Sequence, residues 1–243
     1  MRHSLAGCLL LVSALAWPGL GHAGNAEMAW DRCAGLVGST TSRTFACADD
    51  TTRHRLVVSA STPFGLPDFV AAVVTIDVAL AGAGIPDWWR FADGGCRAGA
   101  ATADIGVSTD GDPASCHDPW GTGLLSGTVG VAEGYLTPNR IRIQFTLAQS
   151  STSVFPIGQT CRVGVLTLPS LGTVTGGGGS GCAGCATAAC LSLTQVELFG
   201  IFGGQQIIPP GASHVAGFQQ PTPALCATPA RQSSWGAIKA LYR

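Results

Sequence analysis

Apolar and polar residues alternate with a period of two over several stretches of the chain. Val74, Ile76, Val78 and Leu80 are separated by Thr75, Asp77 and Ala79. Ile141, Ile143, Phe145 and Leu147 are separated by Arg142, Gln144 and Thr146. Successive side chains of a strand point to opposite faces, so each run predicts a half-buried strand. Cys161, Val163 and Val165 begin a third strand whose apolar phase then moves to Leu166 and Leu168. Leu191 and Leu193 change phase to Val196 and Leu198 in the same way. A one-residue slip of this kind predicts a β-bulge. Arg55–Ala60 and Thr128–Ala132 carry weaker versions of the pattern, and helical periodicity between these segments is almost absent.

Strands at this spacing, punctuated by Gly, Pro and Asp, predict an all-β fold, an antiparallel β-sandwich or jelly roll. The domain is expected over residues 24–208. From residue 209 the chain turns rich in Pro, Gln, Ala and Ser. Residues 209–243 are therefore read as a short C-terminal tail, with Trp235, Ile238 and Leu241 on a terminal helix or strand that either docks elsewhere or packs on its own domain. Gly172–Gly181 reads as a long surface connection.

Residues 1–23 have the order of a secretory signal: a basic start at Arg2 and His3, an uncharged apolar run from Leu5 to Trp17, and small residues up to Ala23. The run is too short to span a bilayer. Leu5-Ala6-Gly7-Cys8 has the look of a lipoprotein box, but most of the apolar region follows the cysteine instead of preceding it. An exported protein without a membrane span is expected, secreted or held at the cell surface.

Charge narrows the function classes. Only 11% of residues are charged and the net charge is −1, with a single lysine, Lys239. A nucleic-acid binder would carry a basic surplus to meet phosphates. Beyond the signal lie nine cysteines, Cys33, Cys47, Cys96, Cys116, Cys161, Cys182, Cys185, Cys190 and Cys226. In an oxidising compartment they predict disulfides. Proximity along the chain favours Cys33–Cys47 and Cys96–Cys116, and leaves Cys182, Cys185 and Cys190 to pair among themselves or with Cys161 and Cys226. An odd count leaves one thiol free, intermolecular or metal-bound. Cys182-Ala183-Gly184-Cys185 with Cys190 has zinc-ligand character if Cys161 or Cys226 completes a set of four. A redox role would require a βαβ setting that the pattern lacks.

Candidate chemistry is sparse. Gly176, Gly178 and Gly181 satisfy G-x-G-x-x-G by chance within a glycine run. His117 and Asp118, in Cys116-His117-Asp118-Pro119-Trp120, bring a base, an acid and an aromatic together and define a hydrolase reading; the plainer reading is a disulfide-tied loop turning at Asp118-Pro119. His54, between Arg53 and Arg55, reads as a solvated strand position. Asp110, Asp112 and Asp118 form an oxygen-rich loop able to hold calcium, although Asp-Gly-Asp is also a plain turn sequence. Pro86-Asp87-Trp88-Trp89-Arg90-Phe91 reads as a strand with its tryptophans on opposite faces. An exposed Trp89 beside Trp120 would stack a sugar; buried, both would close the sandwich edge.

Trp30-Asp31-x-Cys33, Phe45-Ala46-Cys47, Leu66-Pro67, Pro86-Asp87-Trp88-Trp89-Arg90-Phe91 with Cys96, the Cys182…Cys190 segment and Trp235-Gly236-Ala237-Ile238-Lys239 together resemble a group of exported bacterial proteins without an assigned activity. More remotely, the strand-rich, low-charge character is similar to cohesin-like and carbohydrate-binding β-sandwiches. The expectation that follows is a secreted, non-catalytic binding or structural module, with an extracellular polysaccharide or a cell-surface protein as partner. Carbohydrate recognition through Trp89 and Trp120, calcium-dependent or not, and a hydrolase at His117 and Asp118 are the alternatives.

Overall fold

A computed structural model describes residues 24–48, 50–105, 116–121, 125–173 and 181–227. The expected signal segment at residues 1–23, Asp110, Asp112, most of the glycine-rich connection and Trp235 with its neighbours lie outside them. Among the described residues, eleven strands form two facing sheets. The first sheet has the order β1 (Asn25–Trp30), β3 (Arg53–Ser61), β8 (Cys161–Pro169), β5 (Thr102–Asp104). The second runs β2 (Ser42–Arg43), β11 (Val215–Phe218), β9 (Ala189–Gly200), β4 (Leu66–Leu80), β7 (Arg140–Phe155), β6 (Leu125–Glu133), with β10 (Gln205–Ile208) also on β9. All pairings are antiparallel except β2 with β11. The all-β sandwich expected from the pattern is present.

The alternation decides which side chains meet between the sheets. Val74, Ile76 and Val78 of β4 stand opposite Phe145, Ile143 and Ile141 of β7 and form one buried face with Leu191, Leu193, Val196 and Leu198 of β9. Met28, Trp30, Leu56, Val58, Val163, Leu166 and Leu168 answer from the first sheet. On the outer face, Arg142 lies directly across from Asp77 and bonds both its carboxylate oxygens, at 2.7 and 2.9 Å. The same guanidinium lies 3.9 Å from the centre of the Tyr135 ring. Donating to the Asp77 carboxylate raises the Arg142 pKa.

Both predicted bulges exist. The β4–β9 register slips between Thr75 and Ile76, which leaves Thr194 unpaired in the ladder between Leu193 and Gln195. Its hydroxyl donates to the Thr75 carbonyl at 3.0 Å. In β8 the slip falls opposite Val58 and Ser59, at Val163, a little earlier than the apolar phase suggests. Leu166 thereby stays in the core, while Val165 turns to the outer face against Val57 and Cys33.

Several expectations are corrected. The domain continues past residue 208: Ala216 and Phe218 of β11 are buried in the second sheet, and Cys226 is bonded to Cys190. The short apolar run Val215, Ala216 and Phe218 suffices for a strand despite its Pro- and Gln-rich surroundings. The described part of the tail ends on a single helical turn, α1 (Pro223–Cys226), capped by the Thr222 hydroxyl. The disulfides are Cys33–Cys116, Cys47–Cys185, Cys96–Cys182 and Cys190–Cys226. All the cysteines expected to bond do so, but neither Cys33–Cys47 nor Cys96–Cys116 forms, because the sheets bring together residues distant in sequence. Cys161 is the free thiol, and it is buried.

Three of the four disulfides gather at one end of the sandwich, at the start of β9 and in the connections beside it. Pro86-Asp87-Trp88-Trp89 is not a strand there: Asp87–Trp89 is one turn of 3-10 helix. Successive side chains of such a turn lie about 120° apart, so Trp88 and Trp89 both point inward. They pack with Phe91, Phe218, Trp30 and Phe45, adjacent ring centres lying 4.9–6.2 Å apart. The Cys182–Cys185 turn closes over Pro86. Gly184 has φ +105°, and a Cβ there would sit 2.3 Å from Pro86 Cβ, so this position requires glycine. Arg97 is buried beneath, 3.9 Å from the Trp88 ring centre, donating to the carbonyls of Trp88, Pro169 and Leu171.

Peptide mapping without reductant is expected to recover the four pairs above and no Cys33–Cys47 link. Replacing Cys47 and Cys185 together by alanine is expected to lower the unfolding free energy by about 2–4 kcal/mol in denaturant titration.

Candidate functional site

The end opposite the three clustered disulfides is built differently. Three connections meet there: residues 62–65 between β3 and β4, residues 156–160 between β7 and β8, and residues 201–204 between β9 and β10. Their bases rest on Phe69, Phe155 and Trp120, whose rings pack at 4.7 and 5.4 Å. Gly158 N donates to Thr62 O at 2.8 Å, tying the first connection to the second. Gln206 reaches from β10 to the Thr62 hydroxyl and the Gly65 carbonyl, tying the first to the third. Asp68 holds the β9–β10 turn, its carbonyl accepting from Ile201 N at 3.1 Å and its carboxylate from Phe202 N at 3.0 Å.

Each connection turns at a glycine of positive φ: Gly65 at +63°, Gly158 at +65° and Gly203 at +85°. Immediately before each glycine stands a large apolar residue, Phe64, Ile157 or Phe202, and a turn corner leaves it in water. Phe64 is 80% exposed, Ile157 69% and Phe202 89%. Of the ten large hydrophobic side chains exposed among the described residues, six lie here, with Ile201, Val154 and Ile207 beside those three. Scattered single apolar residues need no explanation, but a concentration of this kind at one end does. Asp68 is the only charged residue in the stretches 62–68, 154–160 and 200–207. The signal was present in the sequence as Phe-Gly, Ile-Gly and Phe-Gly, bulky apolar residues in turns where polar ones are usual.

The residues singled out from sequence do not form this surface. Trp89 is 0% exposed among Trp88, Phe91 and Phe218. Trp120 is 8% exposed against Phe69, with its Nε1 donating to Val163 O at 3.1 Å. The sugar-stacking platform of Trp89 and Trp120 is therefore corrected: large aromatic area favours burial, and the two rings lie at opposite ends of the core. Asp110 and Asp112 lie outside the described residues. Asp118 is engaged otherwise than as a calcium ligand, with one oxygen 2.7 Å from the Arg162 guanidinium and the other accepting from Trp120 N at 3.0 Å. That second bond is the turn expected at Asp118-Pro119.

His117 is exposed, and its backbone runs beside β8, where Arg162 N donates to its carbonyl at 2.8 Å. His54 is fully buried, 3.1 Å from the Ser170 hydroxyl and 4.0 Å from the Phe45 ring centre. This corrects its reading as solvated; His54, Leu56, Val58 and Ala60 share one face of β3 and alternate together. Ser170 is as deeply buried, so the pair offers no accessible nucleophile. Cys182, Cys185 and Cys190 are bonded to three different partners, which removes the zinc set. Among the described residues no group of three or more His, Cys, Asp or Glu side chains is placed to hold a metal ion.

No protein-family model matches the chain, and no curated protein matches it. Among solved structures, a cohesin module of a family 33 glycoside hydrolase from Clostridium perfringens aligns over 80% of this chain and 93% of its own. The identity is 10% and the TM-score 0.33. No helix among the described residues is long and apolar enough to cross a membrane.

Two buried groups titrate at alkaline pH in opposite senses. Burial, reinforced by the Asp118 charge, pushes the Cys161 thiol up to about 12. An unfolded thiol loses its proton near 9, so the folded state binds more protons between 9 and 12 and loses stability as pH rises. Burial lowers Arg97 to about 10, only partly offset by Asp50, and above that pH its deprotonation favours the folded state. Between pH 9 and 10 the stability of the wild type relative to Cys161→Ala is expected to fall by up to about 1.4 kcal/mol per pH unit; parallel profiles in urea titrations would contradict this. Trp89→Ala and Trp120→Ala are each expected to cost about 3–5 kcal/mol of stability, read as a large drop in Tm.

Proposed function

We propose that this chain is an exported, non-catalytic binding module that docks through the end of its sandwich bearing Phe64, Ile157, Ile201 and Phe202. One observation carries the reading. Three of the disulfides and the Trp88–Trp89–Phe218 ring cluster lock one end, while the other presents apolar side chains on short, internally braced turns. Solvating these side chains is unfavourable, and the braced turns hold them where they cannot fold back into the core. A surface of this kind gains its free energy on being covered.

Export is supported by four disulfides joining residues 36 to 138 positions apart, an arrangement suited to an oxidising compartment. The non-catalytic part of the reading is supported by the engagement of Asp118 with Arg162 and by the burial of the Ser170–His54 pair. The reading calls for no cofactor.

The apolar dye 8-anilinonaphthalene-1-sulfonate tests the surface directly. Native protein is expected to enhance its fluorescence, and Phe64→Ser with Phe202→Ser is expected to remove most of the enhancement at unchanged Tm. Enhancement that survives both substitutions would place the accessible apolar surface elsewhere and end this reading.

A further inference from the structure

We infer that the partner of this surface is a lipid layer with zwitterionic headgroups, into which the three turns insert side by side. The inference rests on the docking reading above and adds the class of partner. Three features of the turns support it.

The first is charge. Stretches 62–68, 154–160 and 200–207 contain no Lys or Arg, and their single acid, Asp68, is turned onto the backbone of the β9–β10 turn. The chain as a whole carries −1. Anionic membranes are held by clusters of basic residues, which this end lacks. A net-neutral headgroup layer imposes no such requirement.

The second is hydrogen bonding. Entering hydrocarbon is costly for a polar group left without a partner. At this end several of the groups are paired internally: Gly65 O with Gln206, Thr62 O with Gly158 N, Ile201 N and Phe202 N with Asp68, and Gly200 N with Gly204 O at 2.7 Å. These groups can leave water with little polar penalty. A protein interface of standard size, by contrast, carries about ten direct hydrogen bonds, and groups already satisfied within the turns are poor donors and acceptors for them.

The third is shape. Phe64, Ile157 and Phe202 project singly from three turn corners, exposed on most sides. A rigid protein partner would need three separate pockets to cover them, whereas acyl chains flow around each. Insertion of apolar residues to the depth of the headgroup boundary, without a span, suffices for peripheral attachment.

The test is flotation of the protein from residue 24 onward with phosphatidylcholine vesicles in 0.1 and 0.5 M NaCl. Binding is expected at both salt concentrations. Phe64→Ser and Phe202→Ser are each expected to weaken partitioning about tenfold, the loss of one partly inserted aromatic. Val37→Ser, equally exposed but outside this end, is expected to change nothing. Absence of binding, binding insensitive to Phe64→Ser and Phe202→Ser, or binding that needs phosphatidylserine and fades in 0.5 M NaCl would each overturn the inference. If dye binding at this end is retained while vesicles are not bound, the docking surface stands and the lipid does not. Sedimentation velocity then distinguishes a second copy of the chain, seen as a concentration-dependent dimer, from a different protein partner.

Discussion

Arg97 against Trp88 is the contact on which the closed end depends. A guanidinium under the sheet ends must be compensated, and three carbonyls together with two aromatic faces do so. The carbonyls belong to the 3-10 turn, to the last residue of β8 and to the segment following it, so one side chain joins chain from both sheets. Its neighbour Cys96 reaches Cys182, which leads into the turn that Gly184 folds over Pro86. Once this arrangement is fixed, Trp88 and Trp89 have one inward position each, and Phe218 brings β11 against them.

Much of the fold was legible because burial between two sheets forces a period of two. The β4 and β7 pairing follows from it, and the phase change after Leu193 places the bulge at Thr194. The wrong readings share a different origin. Cysteine proximity along the chain describes an unfolded polymer, whereas Cys47 and Cys185 meet only because β9 and β11 lie beside the segment that follows β2. Arg53 and Arg55 suggest a solvated His54, whereas its face partners Leu56 and Val58 set its burial. Trp88 and Trp89 were assigned a strand geometry that Pro86 and the 3-10 turn replace. Of the exposed apolar end, each residue is visible in the sequence but not the grouping, since only the topology brings residues 64, 157 and 202 together.

The two ends divide the physical tasks. Area buried at the aromatic end secures the frame and leaves the opposite turns free of any duty to the core beyond their bases on Phe69, Phe155 and Trp120. Gln149 and Ser153, in the irregular part of β7, brace the strap at residues 119–121 over that base, with Gly121 N on Gln149 Oε1 at 2.6 Å and the Ser153 hydroxyl on Pro119 O at 2.6 Å. Rigid support beneath exposed apolar corners lowers the ordering cost of docking, as preorganised surfaces do.

The crossed order of the disulfides also bears on biosynthesis. A chain emerging N-terminus first presents Cys33 and Cys47 before either partner, 83 and 138 residues behind. An oxidant acting on the nascent chain would join these two first, and the resulting 14-residue link would have to be undone. Oxidised in that order, the chain reaches its final pairing only through thiol–disulfide exchange, and burial in β8 shields Cys161, the one free thiol among the described residues, once the fold is complete.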